Sequence, residues 1–359
     1  MKKVKITSKK KYNDYLDDDD DESLAIIIKL KNCKIFLITI SIIIIIISIY
    51  FLVSYFGAKK YKNYINVSYS FDGNYHYIAH VSMKSIMISQ DKSTFIKFYM
   101  LVSNINEEQR EVINSICLQH DNCNITFINM KDQFKELYVP KDIMTVWTTA
   151  IFYRVILQDL LPTEHRILYL DVDTLIYKDL TKLYNYNITE KCYVGMAEYK
   201  DIYYFIQYNV KFNNFINTGV MLCNLDELRK FDFTTKFKEF FNKYDKKVKF
   251  PLNDATNYLT HEKNGIFDPG DVIIGFCNEN EIYKYYKRMS LKINVSEVIK
   301  AYNDPYVYHL ITKVKPWRKI PSIDGYVCFE PMIRFYEMAK KTIYFHKILE
   351  LFPVNITDN

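Results

Sequence analysis

The chain has 359 residues, about half of them apolar, so it can build one large domain or two smaller ones around a sizeable core. Its net charge of +6 is modest and spread out, and no basic block interleaved with aromatics marks a nucleic-acid surface, so nucleic acid is excluded as a partner. Ile, Asn, Lys and Tyr are over-used along the whole chain, so local enrichment in them carries little weight.

Residues 1–34 are polar. They hold lysines between Lys2 and Lys11 and the acidic run Asp17 to Glu22, and read as a solvated, largely disordered tail. The segment Ile35 to Ala58 follows, with no charge and six consecutive isoleucines. A bilayer core needs roughly 20 apolar residues as helix, so this segment is expected to span. It is longer than a signal-peptide core and lies behind more than thirty polar residues, which makes it an uncleaved signal anchor. The nearest flanking charges cancel, Lys29, Lys31 and Lys34 against Lys59, Lys60 and Lys62. The further N-terminal lysines favour a cytosolic N-terminus, hence a single-pass type II protein of the Golgi or endoplasmic reticulum with its remainder in the lumen.

Sequons occur at Asn66, Asn124, Asn187, Asn294 and Asn355. Asn66 and Asn124 fall in or beside predicted strands, where a glycan does not fit. The six cysteines beyond the apolar segment, at 117, 123, 192, 223, 277 and 328, form no C-x-x-C pair. A structural zinc site is therefore not expected, and disulfides and buried thiols both stay open.

After the stem 59–64 the pattern alternates. Ile65 to Phe71 reads as a strand, Val81 to Ser89 as a helix and Phe95 to Val102 as a strand. A helix starts at Glu107, with Asn106 as N-cap and Gln109 completing a near capping box. Asn124 to Met130 is a third strand, Thr148 to Leu160 a helix, and "ILYLDVDTLIYKDL", from Ile167, a fourth strand. Strands separated by helical lengths imply crossovers and a mainly parallel, Rossmann-like α/β sheet flanked by helices. Ligands bind such sheets beyond the carboxyl ends of the strands. That rim would hold both "FDGNY" (Phe71 to Tyr75) and Asp171-Val172-Asp173.

Residues two apart in a strand share a face, so Asp171 and Asp173 are expected to converge. Two carboxylates in a poorly solvated place repel, and a divalent cation relieves them; an oxygen pair with room for water and phosphate suits Mg²⁺ or Mn²⁺. Four stretches in order then resemble family 8 glycosyltransferases over Ile65 to Trp317. They are "FDGNYHYIAHVSMKSIM", "YRVILQDLLP…RILYLDVDTLIYKDL", "FINTGVMLCNLDELR" and "HLITKVKPW".

The resemblance implies a retaining enzyme of GT-A fold with a nucleotide-sugar donor and a D-x-D metal site. Asp171, Asp173 and His309 would hold the metal, with imidazole favouring Mn²⁺ over Mg²⁺. Asp171 would also touch the donor, Lys315 would pair with the diphosphate, and Asp72, Asn74 and Tyr75 would meet the nucleotide. Arg154 would face the donor, Asn217 would bond the transferred sugar, and Gly219 would allow close backbone approach. The family's D-Q-[DG] motif falls on "PLNDATN", where Asp254 is acidic in either register and would make the sugar or acceptor contact, with Asn253 in the Gln place of one register; Leu252 and Ala255 depart from it. Gly73 stands where many members have a second Asp, and Thr312 where they have Gly.

The implied reaction moves a sugar from a UDP-sugar to a hydroxyl of a glycan, glycoprotein or lipid-linked acceptor. The short stem suggests an acceptor near the membrane. Two other readings stay open. "LYLDVDTL" is close to the opening motif of haloacid dehalogenase phosphatases, with Asp171 as nucleophile, although Thr174 stands one place early. The chain could also be a membrane-tethered nucleotide-sugar binder with a degenerate site. The catalytic domain is set at 65–320 and a helical C-terminal tail, expected to pack on it, at 321–359.

Overall fold

The computed structural model describes residues 17–57, 61–137, 148–198, 207–210, 214–244, 248, 250–288, 294–311, 315–317, 322–323, 326–327 and 329–353. The lysines up to Lys11, the stem residues 58–60, Thr312, Cys328 and the sequon at Asn355 lie outside them. The chain forms two compact units, residues 1–60 and 61–359.

The first unit contains one helix, α1 (Asp17–Gly57). Its stretch Ile28–Leu52 is long and apolar enough to cross a membrane, its most apolar 18-residue window reaching a mean hydropathy of 3.0. The hydroxyls of Thr39 and Ser41 donate to the carbonyls four residues back, both at 2.9 Å, so they need no water. The acidic run expected to be disordered falls within this helix.

In the second unit a seven-stranded sheet has the order β3-β2-β1-β4-β7-β6-β8. Its strands are β1 (Asn63–Asp72), β2 (Thr94–Ser103), β3 (Cys123–Asn129), β4 (Arg166–Leu170), β6 (Tyr193–Ala197), β7 (Ile216–Asn224) and β8 (Asn264–Ile266). A second sheet is formed by β5 (Thr174–Ile176), β9 (Val272–Ile274) and β10 (Val307–His309), in the order β5-β10-β9. β1 to β4 are mutually parallel, and β7 runs antiparallel to both β4 and β6. β4 and β6 therefore end on the same rim. Residues 65–71 of β1 are all buried, as expected for a strand covered on both faces.

Helices α2 (His76–Ser89) and α3 (Glu107–Gln119) pack on one face, α2 starting five residues earlier than its sequence pattern suggests. The Asn106–Gln109 capping box on α3 is present in both directions. The opposite face carries a 3-10 run, Thr149–Ile156, which passes into α4 (Leu157–Leu160). The expected regular helix over 148–160 is thus mostly 3-10. After the short α5 (Thr181–Tyr184), that face also carries α6 (Leu225–Phe231), α7 (Phe233–Tyr244) and α8 (Pro251–Thr260). Buried Phe152, Phe233, Phe237 and Phe241 pack edge-on and tilted at 5.0–6.0 Å between them.

Then come α9 (Glu279–Arg288) and α10 (Val295–Asn303), followed after β10 by the two-residue pair β11 (Ser322–Ile323) and β12 (Tyr326–Val327), then α11 (Glu330–Ala339) and α12 (Phe345–Leu351). Phe335, Met338, Ala339 and Ile348 of the last two helices are buried in one cluster with Tyr308 and Leu310. Cys117 and Cys123 form a disulfide that joins the end of α3 to β3, Cys277 is also disulfide-bonded, and Cys192 and Cys223 are buried thiols. Asn66 is buried on β1, where its amide donates to Glu164 at 2.6 Å; a glycan has no room there.

Candidate active site

β4 ends at Leu170, so Asp171 and Asp173 do not share a face of a strand. They bracket a tight turn that carries the chain from the large sheet into β5 of the small one. The Thr174 hydroxyl closes this turn on the Asp171 carbonyl at 2.8 Å, and behind it Ser82 and Tyr69 continue a buried hydroxyl chain at 3.1 and 2.8 Å. The backbone amide of Asp171 donates to Gly219 at 2.7 Å, and that of Leu310 donates to Asp173 at 2.9 Å. The turn is thereby fixed to β7 and to the end of β10. The two acids converge because the chain reverses, not because of the strand pleat.

His309, at the end of β10, is 2 % exposed. Its Nε2 lies 3.2 Å from Asp173 Oδ1 and 3.8 Å from Asp171 Oδ2. One ligand atom from each of Asp171, Asp173 and His309 lies within 4.8 Å of the other two. The other ring nitrogen, Nδ1, is buried and has no partner among the described residues, so Nε2 is the nitrogen presented to the acids. Gly219 backs onto this group: a Cβ there would stand 2.3 Å from His309 Cε1 and 2.5 Å from Asp171 Oδ2. Two carboxylates and an imidazole, which a side chain at 219 would displace, form a donor set that fits a divalent metal ion.

Cations take the remaining oxygens. Arg154 Nη2 lies 2.7 Å from Asp171 Oδ1, which also accepts from the Tyr169 hydroxyl at 2.9 Å. The Arg154 guanidinium stacks 4.0 Å over the Tyr169 ring and donates to the Thr218 carbonyl at 2.6 Å. Lys315 Nζ donates to Asp173 Oδ2 at 2.5 Å and to the Leu310 carbonyl. Burial alone would raise the Asp173 carboxyl; Lys315 and His309 outweigh it and hold the group well below the usual range.

Two clefts meet at this turn. One runs over the ends of β1 and β4 and includes Asp72, Tyr75, Thr148, Arg154, Lys315 and Trp317. Asp72 caps the 3-10 turn Gly73–Tyr75, accepting from the Asn74 amide at 3.3 Å and from Asn104 at 2.9 Å. Asn74 itself is exposed and does not line this cleft. Gly73 is a packing position: a Cβ would stand 2.3 Å from the Asn104 carbonyl oxygen, so no aspartate fits.

The second cleft includes Glu198, Asn217, Thr218, Gly219, Leu252 and Asn253. Asp254, expected to touch sugar or acceptor, does not line it. It is fully buried and accepts from the Tyr208 hydroxyl at 2.7 Å and the Phe250 amide at 3.2 Å. The helix turn of α8 directs position 253 to the cleft and position 254 behind it. Glu198 is the acid on this side, and the sequence reading missed it. Its Oε2 accepts from Asn253 at 2.8 Å and Asn217 at 3.3 Å. Burial pushes its carboxyl up to about 7, against the downward pull of the Asn217 amide. The available signal was an acid just after a strand, in "VGMAE", but the direction of β6 cannot be read from the sequence.

The likeness to known proteins agrees with this architecture. The galactosyltransferase LgtC, solved with donor and acceptor sugar analogues, superposes with a TM-score of 0.62 over 78% of this chain and 96% of its own, at 19% identity. The fold is therefore GT-A. The family model for glycosyl transferase family 8 matches residues 66–321, and the chain belongs to that family. A Haemophilus influenzae relative is 26% identical over 54% of this chain, which spans 59% of that relative's length. Lipopolysaccharide 1,2-glucosyltransferase of Escherichia coli is 25% identical over 71% of this chain and 80% of its own. With that family membership the phosphatase reading falls, and Asp171 is engaged by Arg154 and Tyr169 rather than free as a nucleophile.

Proposed function

We propose that this protein transfers a sugar from a UDP-sugar to an acceptor hydroxyl with a divalent cation, preferably Mn²⁺, and retention at the anomeric carbon. The observation that carries this reading is the convergence of Asp171, Asp173 and His309 between two clefts, with Arg154 and Lys315 beside them. Asp171, Asp173 and His309 would hold the ion, which supplies Lewis-acid stabilisation of the leaving diphosphate.

Tyr75 and Asp72 line the cleft that suits the nucleotide. Lys315 adds positive charge where the diphosphate leaves. Asn217, Asn253 and Glu198 face the sugar. The C1–phosphate bond breaks as the C1–acceptor bond forms on the same face, and the departing phosphate oxygen takes the hydroxyl proton. No acid and base carboxylate pair of the hydrolase type is needed.

α1 is read as a single-pass anchor of a secretory membrane, Golgi or endoplasmic reticulum, with the catalytic unit lumenal. β1 runs ten residues from Asn63 to Asp72, roughly 30 Å at strand rise, so the site lies at the far rim from where the chain enters this unit. The acceptor is read as a glycan, glycoprotein or lipid-linked saccharide.

The test is UDP release by the full chain in detergent, with Mn²⁺, across UDP-glucose, UDP-galactose, UDP-xylose and UDP-N-acetylglucosamine. One donor should be turned over, and Asp173→Ala should abolish turnover while the protein stays folded. Wild-type turnover in that variant sinks the assignment. UDP binding with no turnover of any donor marks the chain as a binder.

A further inference from the structure

We propose that Lys315 is an internal counter-cation that competes with the divalent ion for Asp173, and that the donor diphosphate draws it away, so that nucleotide and ion enter cooperatively. The proposal rests on the metal-dependent reading above and concerns a single side chain within it.

The charges of the site favour such an arrangement. Asp171 and Asp173 carry two negative charges, and Arg154 and Lys315 carry two positive ones in direct contact with them at 2.7 and 2.5 Å. The four side chains sum to zero. A divalent cation approaching Asp171, Asp173 and His309 therefore meets a neutral group of side chains. It also meets an ammonium bonded to one of its own ligands, and like charges this close repel strongly where solvent is scarce. Asp173 and Lys315 have only 15% and 12% of their side chains exposed, so water does little to screen them.

The two cations are not equivalent. Arg154 is 7 % exposed and locked by three further contacts: its stacking on Tyr169 and its bonds to the carbonyls of Thr218 and Ile151 at 2.6 and 3.1 Å. It stays where it is. Among the described residues, Lys315 has besides Asp173 the Leu310 carbonyl and a distant Trp317 ring, 6.0 Å away, on a flexible four-carbon stem. It also lines both clefts, so a small swing keeps it inside the site. A nucleoside diphosphate brings negative charge into the first cleft and offers the ammonium a better partner. Asp173 is then released to the ion. Ion and diphosphate each favour the Lys315 position that the other needs, and by linkage each must raise the affinity of the other by the same factor.

The experiment measures Mn²⁺ binding to the full-length protein by the electron paramagnetic resonance signal of free Mn²⁺, with and without UDP. Wild type and Lys315→Met are compared, with Asp173→Ala as reference. In wild type, UDP should tighten Mn²⁺ binding by at least tenfold. In Lys315→Met, Mn²⁺ alone should bind at least tenfold tighter than in wild type, UDP should bind more weakly, and the factor between them should shrink by at least threefold, leaving the direct attraction of ion and diphosphate.

Equal or weaker binding of Mn²⁺ alone by Lys315→Met, with the UDP-linked factor unchanged, overturns the proposal and leaves the metal site standing. If Asp173→Ala binds Mn²⁺ as well as wild type does, the metal-dependent reading itself fails. Unchanged circular dichroism and thermal midpoint in Lys315→Met exclude unfolding as the source of either result.

Discussion

Gly219 lies directly behind His309: a methyl group built on its Cα would stand 2.3 Å from the imidazole Cε1. The β7 backbone thus forms the rear wall of the group that holds His309 and the two aspartates. Gly219→Ala must displace either the ring or Asp171. Overpacking of this kind costs about 1–3 kcal/mol, and here it also moves ligand atoms. We expect Mn²⁺-dependent kcat/KM to fall by at least tenfold and the thermal midpoint to drop by a few degrees, checked by UDP release and calorimetry.

Glu198 gives a pH signature. Its carboxyl is raised to about 7 by burial, so it ionises only near neutrality. If the ionised form bonds the sugar, kcat/KM rises with pH through about 7 in wild type. In Glu198→Gln the profile is flat in that window and lower by at least tenfold. The stability effect has the opposite sign. A carboxyl raised above its unfolded value contributes stability below about 4.5 that is lost as pH rises toward 7. Glu198→Gln should remove that loss, visible as a thermal midpoint less dependent on pH between 4.5 and 7.

His80 acts on stability at acid pH. It is fully buried on α2, with Nε2 3.1 Å from Ser115 Oγ. Burial, with Lys84 and His76 adding to it, lowers its pKa to about 3. The folded protein keeps it neutral while the unfolded chain takes a proton below about 6.5. Stability is therefore lost as pH falls from about 6.5 toward 3. His80→Gln should flatten that acid limb of the midpoint-against-pH curve; an unchanged slope would refute the assignment.

Asn257 ties the sugar-side helix to the sheet. From α8 its amide carbonyl accepts the Ile216 N–H, and its amide nitrogen donates to the Ile216 carbonyl, both at 2.8 Å. Asn257→Ala leaves two buried backbone groups without these partners, at a cost of roughly 1–3 kcal/mol each. Urea unfolding should show a lower midpoint with an unchanged slope. Asn217 and Thr218, which follow Ile216, should lose register with it, so KM for the donor should rise.

The sequence by itself determined the elements whose signals are local. The Asn106–Gln109 box caps α3 as read, because a capping box is complete within four residues. The apolar run is legible as a helix long enough to cross a membrane, because length and lack of charge can be read from composition alone. The parallel run of β1 to β4 follows from alternating strand and helix lengths, and the rim bearing Asp72 and Asp171 follows from that common direction. Only the tertiary structure decided what depends on chain direction and reversal. Asp171 and Asp173 meet through a turn between two sheets, which no period-two pattern encodes. Glu198 reaches the site because β6 runs parallel to β4 through an intervening antiparallel β7, while Asp254 turns away because one residue step on α8 rotates its side chain by about 100°. The balance of Arg154 and Lys315 against the two aspartates joins residues up to 161 positions apart, from Arg154 to Lys315. Electrostatic pairing of that kind depends on distance in space, and sequence separation carries no information about it.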